Sequence, residues 1–182
     1  AITNRLGRLM RLPRADWGKS TAHCGMGITV FAVAALTAWE DEDIRVAQIG
    51  DRWTVGIHEV ELTSVDTIQG PNYFGERGDM AVFRNGRAVG HLFPEKRIYP
   101  VAQMPTTEAG IRNGVLRDVY VVIGDPQDGG GWAVRTYIKP FANWIWGGSI
   151  LMALGGLISL TDRRLRVAAG AAKRNPDTVP AE

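Results

Sequence analysis

The sequence predicts a membrane protein in which two transmembrane α-helices flank an all-β domain on the outer face, a small antiparallel barrel or sandwich. Three observations predict it. Two apolar stretches, 17–39 and 140–161, are long enough to cross a bilayer. The segment between them alternates short Val, Ile, Thr and aromatic runs with turn residues. The charge is also segregated. Of 21 Lys and Arg, ten lie in the two ends: Arg5, Arg8, Arg11, Arg14 and Lys19, then Arg163, Arg164, Arg166, Lys173 and Arg174. Only four of the 19 acids accompany them, so the middle is acidic.

Residues 1–16 read as a basic cytoplasmic lead-in, with Pro13 suited to a turn or to the first turn of a span. The first span follows, Trp17 to Trp39. At about 1.5 Å per residue it covers roughly 34 Å, against a hydrocarbon core of about 30 Å. Its two terminal tryptophans suit the headgroup level. A cleaved signal peptide is the competing reading. It is disfavoured because the apolar run exceeds a usual signal core and no small-residue box follows Trp39. The chain opens on Ala1 rather than Met, which reads as a fragment or a processed subunit.

The outer domain is expected over 40–139. The acids at 40–43 read as a solvated flank of the span. Strands are expected at 45–49, 53–57, 59–67, 79–84, 88–92, 115–123 and 132–138. Asn85-Gly86 is a two-residue hairpin signal, since a type I′ turn wants positive φ at both positions. Residues 99–114 hold Pro100, Pro105 and Gly110, and read as a long excursion with one helical turn near 107–111. The second span is 140–161, with Trp144 and Trp146 at the outer interface. Ser149 and Ala153, and Gly155 and Ser159, are small residues four apart that let another helix approach. A basic tail, 162–182, ends the chain.

Basic flanks outside both spans place both termini in the cytoplasm and the acidic middle outside. That topology explains the basic residues without nucleic acid as a partner. The single cysteine, Cys24, lies inside the first span, so the outer domain has no disulfide framework, and a mainly β domain without a metal site is expected. Buried in lipid, Cys24 is expected to be inert packing.

One residue of the first span carries chemistry. His23 is an imidazole about 9 Å below the interface marked by Trp17. An ionisable group at that depth is costly and marks a function. Neutral imidazole is a good iron ligand and a standard axial ligand of haem. Ser20, Gly27 and Ala34 lie on its side of the helix and leave room for a flat macrocycle. The local pattern by itself favours a structural histidine that hydrogen-bonds a neighbouring helix. His58 and His91 fall in expected strands and read as surface or sheet histidines.

Several stretches also carry a family likeness: AHCGMG, GPNY, PEKRIYPV, MPTTEA, RDVYVVIGDP and WAVRTYIKPFANWIWGGSILMALGGLISLTDRR. They run in order from about Arg14 to Arg166. The chain resembles the C-terminal part of the CcmF family, the cytochrome c haem lyase subunits of the system I maturation pathway. The resemblance implies that many spans precede this segment, with a tryptophan-rich haem-handling motif absent here. It implies a b-type haem with one axial histidine in the span matching 17–39, for which His23 is the candidate. The second ligand would lie outside this segment. Where the family pattern has an aliphatic residue after that histidine, this chain has Cys24.

The implied function is electron delivery to substrate haem while that haem is attached covalently to apocytochrome c. The implied partners are the remaining transmembrane core, a haem chaperone, thiol-reducing and apocytochrome-binding subunits, and apocytochrome c itself. The implied location is the bacterial inner membrane, with the β domain in the periplasm. Lys96, Arg97, Arg112, Arg117 and Asp118 lie in the family-like stretches and read either as structural ion pairs or as docking residues. The alternative for the whole chain is a membrane-anchored β-domain that docks or scaffolds partners without a cofactor of its own.

Overall fold

The computed structural model describes residues 13–101 and 103–162. Most of the basic lead-in and nearly all of the tail lie outside the described residues. The chain divides into two compact units, a helical one and a β one.

The two helices are α1 Arg14–Ala38 and α2 Ala142–Leu160, and the helical unit takes in α1 as far as Phe31 and α2 from Trp144. Both are long and apolar enough to cross a membrane. Pro13 sits just before α1, and its carbonyl accepts from the Asp16 and Trp17 amides. Asp162, just past the end of α2, accepts from the Ala15 amide at 2.9 Å and so caps the other helix. The two helices touch backbone to backbone. A Cβ on Gly18 would lie 2.5 Å from the Ser159 amide nitrogen, and one on Gly25 would lie 2.6 Å from the Gly148 carbonyl. Gly18, Gly25, Gly148 and Gly155 are all buried. Their seven-residue spacing keeps one glycine face toward the partner helix over two turns. Of the small pairs expected on α2, Gly155 and Ser159 make this contact, whereas Ala153 is exposed.

The β unit is a sandwich of antiparallel sheets. In chain order its strands are β1 Asp41–Ala47, β2 Arg52–Val55, β3 His58–Gln69, β4 Phe74–Arg84, β5 Arg87–Leu92, β6 Glu95–Tyr99, β7 Met104–Glu108, β8 Gly110–Arg112, β9 Arg117–Pro126 and β10 Trp132–Pro140. One sheet has the order β1-β10-β9-β8; the other has β2-β3-β4-β6-β7, with β5 also paired to β4. Alternate residues meet between the sheets: Val60, Leu62, Met80 and Val82 from one, Val119, Val121, Ile123, Val134 and Ile138 from the other. Each is essentially inaccessible, a burial that contributes about 1.5–3 kcal/mol per large apolar side chain. Trp53 Nε1 donates to Thr136 Oγ1 across the core at 3.2 Å.

The expected hairpin is present, with φ of 52° at Asn85 and 72° at Gly86 between the paired Arg84 and Arg87. Two expectations differ from the structure. The first strand begins earlier than expected: the acids at 41–43, exposed or half-exposed as a solvated flank would be, already belong to β1 and pair with β10. Their charges are handled locally: Asp43 bonds Arg45 at 2.5 Å, and Glu40, just before the strand, bonds Lys139 at 2.6 Å. Residues 99–114 are not an excursion with a helical turn, because β7 and β8 occupy them. Both are edge strands, where Pro105 needs no ladder hydrogen bond.

Candidate functional site

His23 lies on α1, on the opposite side from the glycine face, and is exposed. Its Nδ1 is 2.8 Å from the Lys19 carbonyl oxygen, one turn back. A carbonyl can only accept, so Nδ1 is the donor, and in a neutral ring the lone pair is then on Nε2. This is the arrangement expected of a metal-ligating histidine, whose second ring nitrogen is held by a carbonyl or carboxylate. Around it the helix is lean. A Cβ on Gly27 would meet nothing within 4 Å, and Ser20 and Ala34 are exposed. Cys24 is exposed as well, so within this chain it packs against nothing that would make it a core residue. The residues therefore fit an axial ligand set toward a planar group approaching α1 from its open side.

The remaining candidate residues separate into two sets. Lys96 pairs with Asp125. Arg97 bonds Glu95 at 2.7 Å, reaches Glu108 at 3.4 Å and covers the Tyr73 ring at 4.6 Å. The Glu95 bond, foremost, holds its guanidinium above the ordinary arginine range. Asp118 is 2 % exposed and accepts from the Gly114 amide at 2.8 Å and from Asn143 Nδ2 at 3.1 Å. These three fix the sandwich. Arg112 and Arg117 do not pair with a carboxylate among the described residues. They line a cavity of about 550 Å³ together with His58 and Arg84.

His91 is a sheet histidine bonded to Asp79 at 2.6 Å. His58 is different. It is 7 % exposed, and its Nδ1 has no hydrogen-bond partner. Burial, then the charges of Arg84, Arg112 and Arg117, hold its imidazole below the ordinary histidine range. Nothing local announces this cluster, because its four members come from β3, β4, β8 and β9 and only the fold assembles them.

Residues 38–140 match the family model described as the CcmF C-terminal beta-sandwich. The chain belongs to the CcmF family. It is 59 % identical over 177 residues to the cytochrome c-type biogenesis protein Ccl1 of Rhodobacter capsulatus, covering 97 % of this chain and 27 % of that protein. It is 40 % identical over 157 residues to the cytochrome c-type biogenesis protein CcmF of Haemophilus influenzae, covering 86 % and 24 %. The solved structure of a cytochrome c haem lyase CcmF matches 88 % of this chain with a TM-score of 0.66 at 22 % identity, a likeness of fold. The chain thus spans about a quarter of the length of its CcmF relatives, and the family model carries the β-sandwich architecture.

Proposed function

We propose that the chain forms the C-terminal part of a cytochrome c haem lyase. In that part His23 is an axial ligand of a b-type haem serving electron delivery during attachment of haem to apocytochrome c. The single observation that carries the reading is the Nδ1 bond to the Lys19 carbonyl, which in a neutral ring leaves Nε2 as the nitrogen available to a metal. The lean face at Ser20 and Gly27 supports it, as do the names of the relatives. Bound haem supplies one-electron chemistry. This chain's own contribution is positional: Lys19 orients the ring, Gly27 leaves the approach open, and α2 holds α1 from behind.

The second axial ligand, the haem chaperone, the thiol-reducing and apocytochrome-binding subunits and apocytochrome c all lie on other segments or chains. We place the protein in the bacterial inner membrane with the sandwich in the periplasm, on the strength of the basic flanks.

The test is His23→Ala in the assembled full-length protein. The b-type haem spectrum is lost or weakened and cytochrome c maturation slows, while the protein still inserts. His23→Gly regains part of the spectrum with added imidazole. A His23→Ala protein with the wild-type haem spectrum and reduction behaviour overturns the assignment.

A further inference from the structure

We propose that the cavity lined by His58, Arg84, Arg112 and Arg117 binds the phosphate headgroup of an anionic phospholipid. The charge comes first. Arg45, Arg52, Arg77 and Arg97 each pair with a carboxylate. Arg84, Arg112 and Arg117 converge on one cavity with no carboxylate partner among the described residues; Arg112 spends one donor on the Val89 carbonyl at 2.5 Å. Asp118 is engaged by Gly114 and Asn143. Three guanidiniums facing one space without a counter-charge are a site for an oxyanion, which they bind in bidentate fashion. His58 adds a built element. It lines the cavity, is over nine-tenths buried, and has a ring nitrogen with no partner among the described residues.

Position selects the lipid. The cavity wall at 113–116 is tied to the residues that lead into α2: Asn143 Nδ2 donates to the Gly114 carbonyl at 3.0 Å, and the Phe141 amide donates to the Leu116 carbonyl at 2.8 Å. Leu116 and Arg117 also line a second cavity with Trp39, Glu40, Pro140 and Phe141, where the strands pass into the helices. If the helices cross a bilayer, on which this inference rests, that end of the sandwich lies at headgroup depth. The rim there is apolar, with Val115 78 % and Leu116 55 % exposed. Acyl chains would cover those side chains, whereas a soluble acidic segment would leave them in water. Arginines around a phosphate, with apolar side chains beside them, are the pattern of an interfacial lipid site.

The test uses the full chain in nanodiscs of phosphatidylcholine with or without phosphatidylglycerol, followed by extraction and native mass spectrometry. Phosphatidylglycerol is retained and phosphatidylcholine is not. Arg84→Gln, Arg112→Gln and Arg117→Gln each weaken retention by about fivefold, as expected for one basic residue near an anionic surface. Leu116→Ser weakens it by removing apolar rim without adding charge beside the arginines, which covers the case of an arginine variant that fails to fold. Arg135→Gln, on β10 and outside the cavity, leaves retention unchanged. Equal retention by wild type and the arginine variants overturns the proposal. Binding of inorganic phosphate or an acidic peptide without lipid retention overturns it in favour of a soluble anion. A chain that fails to enter the discs at all refutes the membrane reading instead.

Discussion

Glu95 offers a stringent test of what holds the sandwich together. It is 6 % exposed on β6, directly opposite Arg77 of β4. Arg77 reaches its Oε1 at 2.5 Å and Arg97 its Oε2 at 2.7 Å. Burial raises the Glu95 carboxyl, but the bonds from Arg97 and Arg77 outweigh it and hold the group below its ordinary value of 4.5. Glu95→Gln keeps the shape and removes the charge. A charge-assisted bond contributes about 1.5–3 kcal/mol and a neutral one about 1, so losing the charge at two arginines costs about 2 kcal/mol. Arg77 and Arg97 are 46 % and 26 % exposed, so water takes up part of their charge and keeps the cost below that of a fully buried pair. For a domain of roughly this size, about 2 kcal/mol lowers Tm by about 8–16 °C. Thermal unfolding of the full chain in detergent, followed by the β-sheet circular dichroism, reads it. The pH dependence gives a second reading. A carboxylate held low in the folded state stabilises above its unfolded value, and that stability is lost as pH falls through the folded value. Wild type therefore loses its advantage over Glu95→Gln below about pH 4.5. Asp43, held low by its Arg45 bond, titrates in both proteins and cancels in the comparison. A Gln variant as stable as wild type at neutral pH would show that the cluster contributes no more than an exposed pair.

Two further outcomes follow from the helical unit and its topology. Gly25→Leu separates the helices, because its side chain would collide with the Gly148 carbonyl and the Met152 amide, whereas Gly27→Leu leaves the pair intact but crowds the face of His23. Disulfide cross-linking between introduced cysteines on α1 and α2 separates the two effects, with the b-type haem spectrum of the assembled protein lost in both. A cysteine at Asn85, in a Cys24→Ala background, reacts with a membrane-impermeant thiol reagent from the periplasmic side; labelling by permeant reagents alone would invert the proposed topology.

The spans were legible because crossing a bilayer demands a long apolar run, and nothing else in the chain has one. The hairpin at Asn85 was legible because positive φ at two successive residues restricts the sequence. Strands β6 to β8 were not. Pro100 does sit in a turn, after β6, but Pro105 and Gly110 are loop residues that are tolerated on the edge strands β7 and β8, and edge position is a property of topology. The acids of β1, exposed as expected, hid the start of the strand for a similar reason. Charge reads as solvent, yet an edge strand accepts it when Arg45 and Lys139 stand beside it. His23 stood out in the sequence as an ionisable residue inside an apolar run, and the structure adds its bond to the Lys19 carbonyl. The cluster of His58 with three arginines was invisible, since its members are ordinary strand-end residues until the sheets bring them together.

The two faces of α1 explain why a single histidine there is affordable. Gly18 and Gly25 commit one face to α2, with backbones in contact and no room for a side chain. A helix fixed in that way cannot rotate without a steric clash. Residues two positions from Gly25, on the other side, therefore have defined directions. His23 and Gly27 lie on either side of Gly25 at that spacing and share the open face. The Lys19 carbonyl then restrains the ring about its own axis. Orientation of the helix by glycine contact and orientation of the ring by a backbone acceptor are independent restraints. Together they restrain the imidazole, as the proposed axial ligation requires.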